Sequence, residues 1–79
     1  MRLDKYLKIS RIIKRRTVAN EACDAGRVEV NGKVARASYG VKEGDVITVN
    51  LGQNSRSFKV LEINENARKQ EAPQMYKEI

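Results

Sequence analysis

Apolar side chains at the start of the chain recur at the spacing of an α-helix. Leu3 and Leu7 are four residues apart and Tyr6 lies between them, so the three side chains share one helical face. The pattern predicts a short first helix over residues 2–9. A loop follows from Ser10, and we expect its two large apolar side chains to be buried anchors: Ile12 and Ile13.

A second helix is predicted to begin near Thr17. A threonine hydroxyl at the N-cap can accept a hydrogen bond from a backbone N–H group two or three residues later. Gly26 is the expected terminator, because glycine readily adopts the left-handed conformation that ends many helices. The apolar face of this helix consists of small side chains, which permit a close approach to the first helix: Val18, Ala19, Ala22, Cys23 and Ala25.

Beyond the second helix the apolar spacing changes from helical to alternating, which is typical of β-strands. Val28 and Val30 alternate with charged residues and predict a strand. Asn31 and Gly32 are a strong signal for a type I′ hairpin, because both positions of that turn need a positive φ. Three further strands are predicted at residues 33–35, 46–51 and 56–63, with turns at 43–45 and 52–55.

The last part of the chain is polar and contains the single proline, Pro73. From Asn64 we expect a frayed or partly helical tail, with Met75 and Tyr76 as late contacts. The pattern as a whole predicts an α+β fold in which two packed N-terminal helices lie on a small, strongly bent antiparallel sheet. We expect one domain over residues 1–65 and a polar C-terminal tail over residues 66–79.

The net charge of the chain, +6, is concentrated at its N-terminus. The first 16 residues contain seven basic side chains and one acidic side chain, Asp4, whereas the charges of the remaining residues balance. A basic face beside a neutral body is typical of a protein that binds a polyanion. Apolar residues are interleaved with these charges, which indicates a folded segment because disordered basic tails lack them.

Length and composition exclude several classes of function. A chain of 79 residues has room for one small core and not for an elaborate enzymatic cleft. It contains no histidine, and its single cysteine, Cys23, permits neither an internal disulfide nor a cysteine-based metal site. No apolar run is long enough to span a membrane and none resembles a signal peptide. We therefore expect a cytoplasmic protein that is not an enzyme and has no metal or cofactor.

Four short blocks occur in an order and spacing that resemble a known family. They are Arg2-Leu3-Asp4-Lys5, Arg16-Thr17, residues 26–33 and residues 41–47. Together they are similar to the S-four RNA-binding domain, named for a small-subunit ribosomal protein, and the resemblance covers roughly residues 1–51. Arg15-Arg16 stands where that family usually has Ser-Arg, so the resemblance maps the family's key arginine onto Arg16.

Within that family the resemblance is strongest to small stand-alone relatives of heat-shock protein fifteen. It implies a two-helix RNA-binding motif of the αL type. It also implies a place on the large ribosomal subunit, in the quality control of stalled nascent chains. The implied partners are large-subunit rRNA, peptidyl-tRNA and a factor that adds C-terminal tails to nascent chains. The chain itself would be a monomer without membrane contact.

The predicted RNA contacts lie in the two helices, the loop between them and the first hairpin. Free N–H groups and a partial positive charge at the start of the second helix suit a phosphate, and arginine can bridge two phosphate oxygens. Aromatic platforms for single bases are scarce, so we expect a structured RNA held mainly through its backbone. The candidate contact residues are Arg2, Lys5, Lys8, Arg11, Lys14, Arg15, Arg16, Thr17, Arg27, Asn31 and Lys33.

Other interpretations stay open at this point. The S-four domain is often attached to RNA-modifying enzymes, so the chain could be an RNA-binding accessory of such an enzyme, or a ribosome assembly factor. Its basic first helix could also bind an anionic membrane. Three residues have both a functional and a structural interpretation. Asp4 could be a catalytic acid but is expected to cap the first helix or to pair with an arginine, and Cys23 could be a redox sensor but is expected to be an inert core thiol. Asn31 could contact RNA or serve its turn alone, and the sequence does not favour one over the other.

Overall fold

Two short helices precede the sheet in the computed structural model, which describes residues 1–79. Helix α1 spans Leu3–Ile9 and helix α2 spans Arg16–Asp24, which confirms both predicted helices. The predicted N-cap is wrong, because the extended residue before α2 is Arg15 and Thr17 already lies in the first helical turn. Gly26 has a φ of +79° and follows the end of α2, as expected of a left-handed terminator.

Five strands form one antiparallel sheet. In chain order they are β1 (Val28–Val30), β2 (Lys33–Val34), β3 (Val46–Leu51), β4 (Asn54–Val60) and β5 (Tyr76–Glu78). Their spatial order is β2-β1-β3-β4-β5. Asn31 and Gly32 connect β1 to β2 with φ values of +53° and +84°, so the predicted type I′ geometry is confirmed.

The turn between β3 and β4 is shorter than the sequence predicts. Leu51 pairs directly with Asn54, so only two residues connect the strands, and the first of them, Gly52, has a φ of +61°. Strand β4 therefore begins within the predicted turn and ends at Val60, before the predicted limit at Ile63. Polar side chains hid the start of β4, and apolar Leu61 and Ile63 continued the alternation beyond its end.

The C-terminal segment differs most from the prediction. A 3-10 helix over Ala72–Gln74 leads into β5, which pairs with β4 at the edge of the sheet. Met75 is 1% exposed, and its carbonyl accepts a hydrogen bond of 2.7 Å from the Tyr6 hydroxyl in α1. The partly helical tail and the late contacts of Met75 and Tyr76 are therefore confirmed, whereas a frayed tail is wrong for residues 76–78, which form an unpredicted strand. The boundary placed at residue 65 stays a prediction of where the RNA-binding unit ends.

A single core joins the helices to the sheet, which confirms the α+β fold class. It contains 15 buried apolar side chains, contributed by both helices, by β1, β3 and β4, and by the connecting segments. Buried and half-buried positions alternate along β3, as expected of a strand with one face against a core. Ile12 and Ile13, expected to be buried anchors, are only half-buried against its edge.

The start of α1 is fixed to the segment that connects β2 to β3. The Leu3 N–H group donates to the Tyr39 carbonyl at 2.8 Å, and the Asp4 N–H group donates to the Ala37 carbonyl at 3.2 Å. The two residues after Arg2 are therefore held against the body of the protein. No helix of the structure is both long enough and apolar enough to cross a membrane.

Candidate nucleic-acid interface

A buried carboxylate lies at the centre of the predicted RNA-binding face. Asp4, in the first turn of α1, is 2% exposed. Its Oδ1 atom accepts hydrogen bonds from Arg2 Nε at 3.1 Å and from the Lys5 backbone N–H group at 2.8 Å. Its Oδ2 atom accepts from Asn20 Nδ2 at 3.1 Å and from Arg16 Nε at 3.4 Å. One carboxylate therefore joins α1 to α2 and holds two arginines together.

These contacts keep Asp4 ionised. Burial alone would raise the pKa of its carboxyl group, because an apolar environment disfavours the charged form. The hydrogen bonds from Asn20, Arg2 and Lys5 and the charge of Arg16 outweigh burial and lower the pKa from 3.8 to about 2. Asp4 is therefore negative throughout the physiological range, and the expectation that it pairs with an arginine is confirmed.

The two arginines keep free hydrogen-bond donors. Arg16 contacts Asp4 through Nε alone, so neither of its terminal nitrogens has a partner within the protein. Arg2 contacts the same carboxylate through Nε and Nη2, which leaves its Nη1 group free. The side chains are 49% and 51% exposed, respectively. Both guanidinium groups are thus held by one edge and can donate to an external oxygen with the other.

The arginines lie in a groove between the helices that includes the start of α2. The groove is lined by Arg2, Asp4, Arg16, Thr17, Asn20 and Glu21. The first turn of α2 has no acidic residue and no side-chain cap, so its N–H groups and partial positive charge are not neutralised there. The structure therefore brings three predicted contact residues together at a place suited to a phosphate.

The loop between the helices contributes charge without internal partners. Arg11, Lys14 and Arg15 are exposed and form no salt bridge, and the same holds for Lys8 in the last turn of α1. Arg11 has a φ of +65°, in the left-handed region that glycine usually occupies at a helix end. Lys5 differs from this group, because its Nζ atom lies 3.6 Å from a carboxylate oxygen of Glu65.

The remaining predicted contacts lie elsewhere on the surface. Arg27 belongs to a largely apolar groove with residues such as Ile12 and Leu51. Lys33 lies at a third groove, beside the β1–β2 hairpin. Asn31 lines that groove too, but its amide is already engaged. Its Nδ2 donates to Asp45 at 3.0 Å, and its Oδ1 accepts from the Val46 N–H group at 2.9 Å. These hydrogen bonds agree with the interpretation that Asn31 serves the turn.

Sequence reasoning missed Asn20. This side chain gives the shortest of the hydrogen bonds to Oδ2 of Asp4. One signal was available, because Asn20 lies four residues after Arg16 and so shares its helical face.

Cys23 lies where it was expected, fully buried in the core, and burial raises the pKa of its thiol to about 11.

The two helices, the groove that holds Arg2 and Arg16, and the antiparallel sheet define a domain of the S4 class. The model of the S4 domain family matches residues 1–47. The chain is 50% identical to the RQC P-site tRNA stabilizing factor of Halalkalibacterium halodurans, over 96% of this chain and 86% of the relative. It is 51% identical to the factor of the same name from Bacillus subtilis, over 96% of this chain and 88% of the relative.

A solved structure agrees with these relatives. Heat shock protein 15 of Vibrio cholerae, described as trimeric, matches with a TM-score of 0.91 and 34% identity, over 100% of this chain and 81% of that chain. The chain therefore belongs to the S4 domain family and, within it, to the family of RQC P-site tRNA stabilizing factors. The resemblance inferred from the four sequence blocks is confirmed.

Proposed function

We propose that this protein is a non-catalytic RNA-binding adaptor of ribosome-associated quality control. It docks on structured rRNA and tRNA of large ribosomal subunits that are obstructed by peptidyl-tRNA. There it supports the C-terminal tailing of stalled nascent chains by a partner factor. The proposal places the protein in the cytoplasm, where ribosomes are translating, and as a monomer on each subunit.

One observation carries the proposal: Arg2 and Arg16 converge on buried Asp4 while keeping free donors beside the open start of α2. A guanidinium group held along one edge has lost much of its freedom before RNA arrives, so less conformational entropy is lost on binding. Charge-assisted hydrogen bonds to phosphate are among the stronger polar contacts. The groove thus suits an RNA backbone of fixed shape better than a mobile single strand.

The relatives supply the biological setting. Their name states that they stabilise P-site tRNA in ribosome quality control. A protein with that task must recognise a tRNA already held by the ribosome, and basic surfaces spread over several sides of a small domain favour this. The groove between the helices, the loop over residues 10–15 and the hairpin carrying Lys33 together give this chain such a distribution.

Co-sedimentation with purified ribosomal subunits tests the proposal. The protein should travel with large subunits that carry peptidyl-tRNA, less with empty large subunits, and least with small subunits. Arg16→Ala should reduce the affinity about 10- to 150-fold, because it removes a charge-assisted phosphate contact of about 1.5–3 kcal/mol. Lys59→Ala, an exposed lysine on β4, is the matched loss of one charge and should have little effect.

Two results would contradict the proposal. Equal binding to small and large subunits would show that the basic groove is a general polyanion surface. Preferential binding to immature large subunits, with no effect of peptidyl-tRNA, would favour an assembly factor instead.

A further inference from the structure

Two arginines share one buried carboxylate in the groove, and this arrangement needs an explanation. Arginine and carboxylate groups prefer to pair through two parallel hydrogen bonds, which join one edge of the guanidinium group to both carboxylate oxygens. Arg2 comes close to this geometry, with Nε on Oδ1 at 3.1 Å and Nη2 on Oδ2 at 3.4 Å. Arg16 does not, because it reaches Oδ2 through Nε alone at 3.4 Å.

Other donors already occupy both oxygens of Asp4: Arg2 and the Lys5 N–H group at Oδ1, and Asn20 as the closest donor at Oδ2. The Nδ2 atom of Asn20 donates to Oδ2 at 3.1 Å, so this uncharged group makes a closer contact with that oxygen than either arginine makes. Asn20 also lies one helical turn after Arg16 in α2, and its short side chain has fewer rotatable bonds than an arginine. The amide therefore fixes Oδ2 relative to the backbone of α2 and competes with the arginines for the lone pairs of that oxygen.

The geometry points to Asn20 as a positioning residue that limits Arg16 to a single contact with Asp4 and so keeps the terminal nitrogens of Arg16 available for RNA phosphate. Without the amide, a second nitrogen of Arg16 also reaches the carboxylate, and Arg16 pairs with Asp4 through two nitrogens. Fewer of its donors then face an incoming phosphate. This inference rests on the proposed function, since it assumes that Arg16 contacts RNA.

The variant Asn20→Ala tests the inference, because alanine favours helix and leaves the charge of the groove unchanged. We expect the affinity for purified large subunits carrying peptidyl-tRNA to fall roughly three- to tenfold, the size of one hydrogen-bond contribution. The slope of log affinity against log salt should also become shallower by about 0.7–0.9, as if one phosphate contact were lost. Asn54→Ala, which removes an exposed amide at the start of β4, is the control and should change neither quantity.

A double-mutant cycle separates positioning from a general structural effect. In the Arg16→Ala background, Asn20→Ala should cost less than about twofold, because the donors that it protects are already gone. In an Arg27→Ala background its full effect should remain. Melting temperatures of all variants show that the fold is retained, and Asn20→Ser replaces Asn20→Ala if the alanine variant is unfolded at the assay temperature.

The possible results distinguish the proposed RNA contact of Arg16 from the positioning role of Asn20. If Arg16→Ala leaves the affinity unchanged, the proposed function of the groove is contradicted. If Arg16→Ala weakens binding but Asn20→Ala does not, the positioning role of Asn20 is contradicted, whereas the proposed function of the groove is supported. An equal loss from Asn20→Ala with and without Arg16 would also overturn the positioning role.

Discussion

Replacing Asp4 by asparagine removes one charge and keeps the shape of the side chain. In the native protein the pKa of Asp4 is lowered from 3.8 to about 2. Each pKa unit corresponds to about 1.36 kcal/mol, so ionised Asp4 stabilises the fold by at most about 2 kcal/mol. This is an upper bound, because water around the half-exposed arginines weakens their pairing with the carboxylate.

The stabilisation by ionised Asp4 depends on pH, and the direction of that dependence follows from the lowered pKa. Because the native pKa is depressed, the stabilisation is fully present above about pH 4 and is lost as the pH falls toward 2. Urea unfolding at pH 7 should therefore show Asp4→Asn less stable by up to about 2 kcal/mol, a difference on the order of 10 °C in melting temperature. At pH 2 the wild-type carboxyl group is about half protonated in the folded state and almost fully protonated in the unfolded state, so most of the stabilisation is lost and the two curves should approach each other.

A matched control and a second readout sharpen the test. Glu43→Gln alters an exposed carboxylate with no side-chain hydrogen bond, and the free energy of unfolding should not change.

Asp4→Asn also raises the net charge of the groove by one, so simple attraction would strengthen RNA binding. Loss of the carboxylate that holds Arg2 and Arg16 should weaken it instead. A stability difference that is the same at pH 7 and pH 2, or tighter RNA binding by Asp4→Asn, would refute the reasoning.

Two further predictions concern the core. Tyr6→Phe removes the buried hydrogen bond to the Met75 carbonyl and should cost about 0.5–1.5 kcal/mol in urea unfolding, the contribution of one hydrogen bond, because that carbonyl keeps the backbone N–H donors of Leu61 and Glu62. An unchanged unfolding midpoint would mean that the C-terminal segment contributes little to stability. Cys23→Ala should leave RNA affinity unchanged and cost about 1 kcal/mol of stability. Because burial raises the pKa of the Cys23 thiol to about 11, its labelling at pH 7 should be slow until the chain unfolds, and rapid labelling of the native protein would contradict a core position.

Local signals in the sequence were sufficient for most of the fold. Leu3 and Leu7 define the buried face of α1, and Gly26 ends α2. The Asn31-Gly32 turn follows from the conformational needs of two residues alone. These predictions succeeded because each depends on neighbours within one turn or one hairpin.

One failure involves contacts between distant parts of the chain, and another a misleading local signal. Strand β5 has only three residues and alternates weakly, and it is held by pairing with β4 and by the burial of Met75. The start of α2 was misplaced because arginine is an unusual residue before a helix and Thr17 is a common one.

The candidate site shows the same limit. Its basic residues were visible as charge, but the shared carboxylate was not, because Asp4 and Asn20 lie 16 positions apart. From sequence, Arg16 was identified as a candidate RNA contact. The structure gives it a second role in the fold, because Arg16→Ala would also remove one partner of a buried carboxylate.

The central claim is that this protein recognises the shape of a structured RNA through contacts with its phosphates. The most direct test is competition for the protein between a folded tRNA and poly-uridine of equal length, repeated over a salt series. The folded RNA should compete far better at physiological salt, and the affinity should fall with a slope of roughly −3 to −6 for four to six phosphate contacts. Equal competition by poly-uridine, or an affinity that does not depend on salt, would contradict the account.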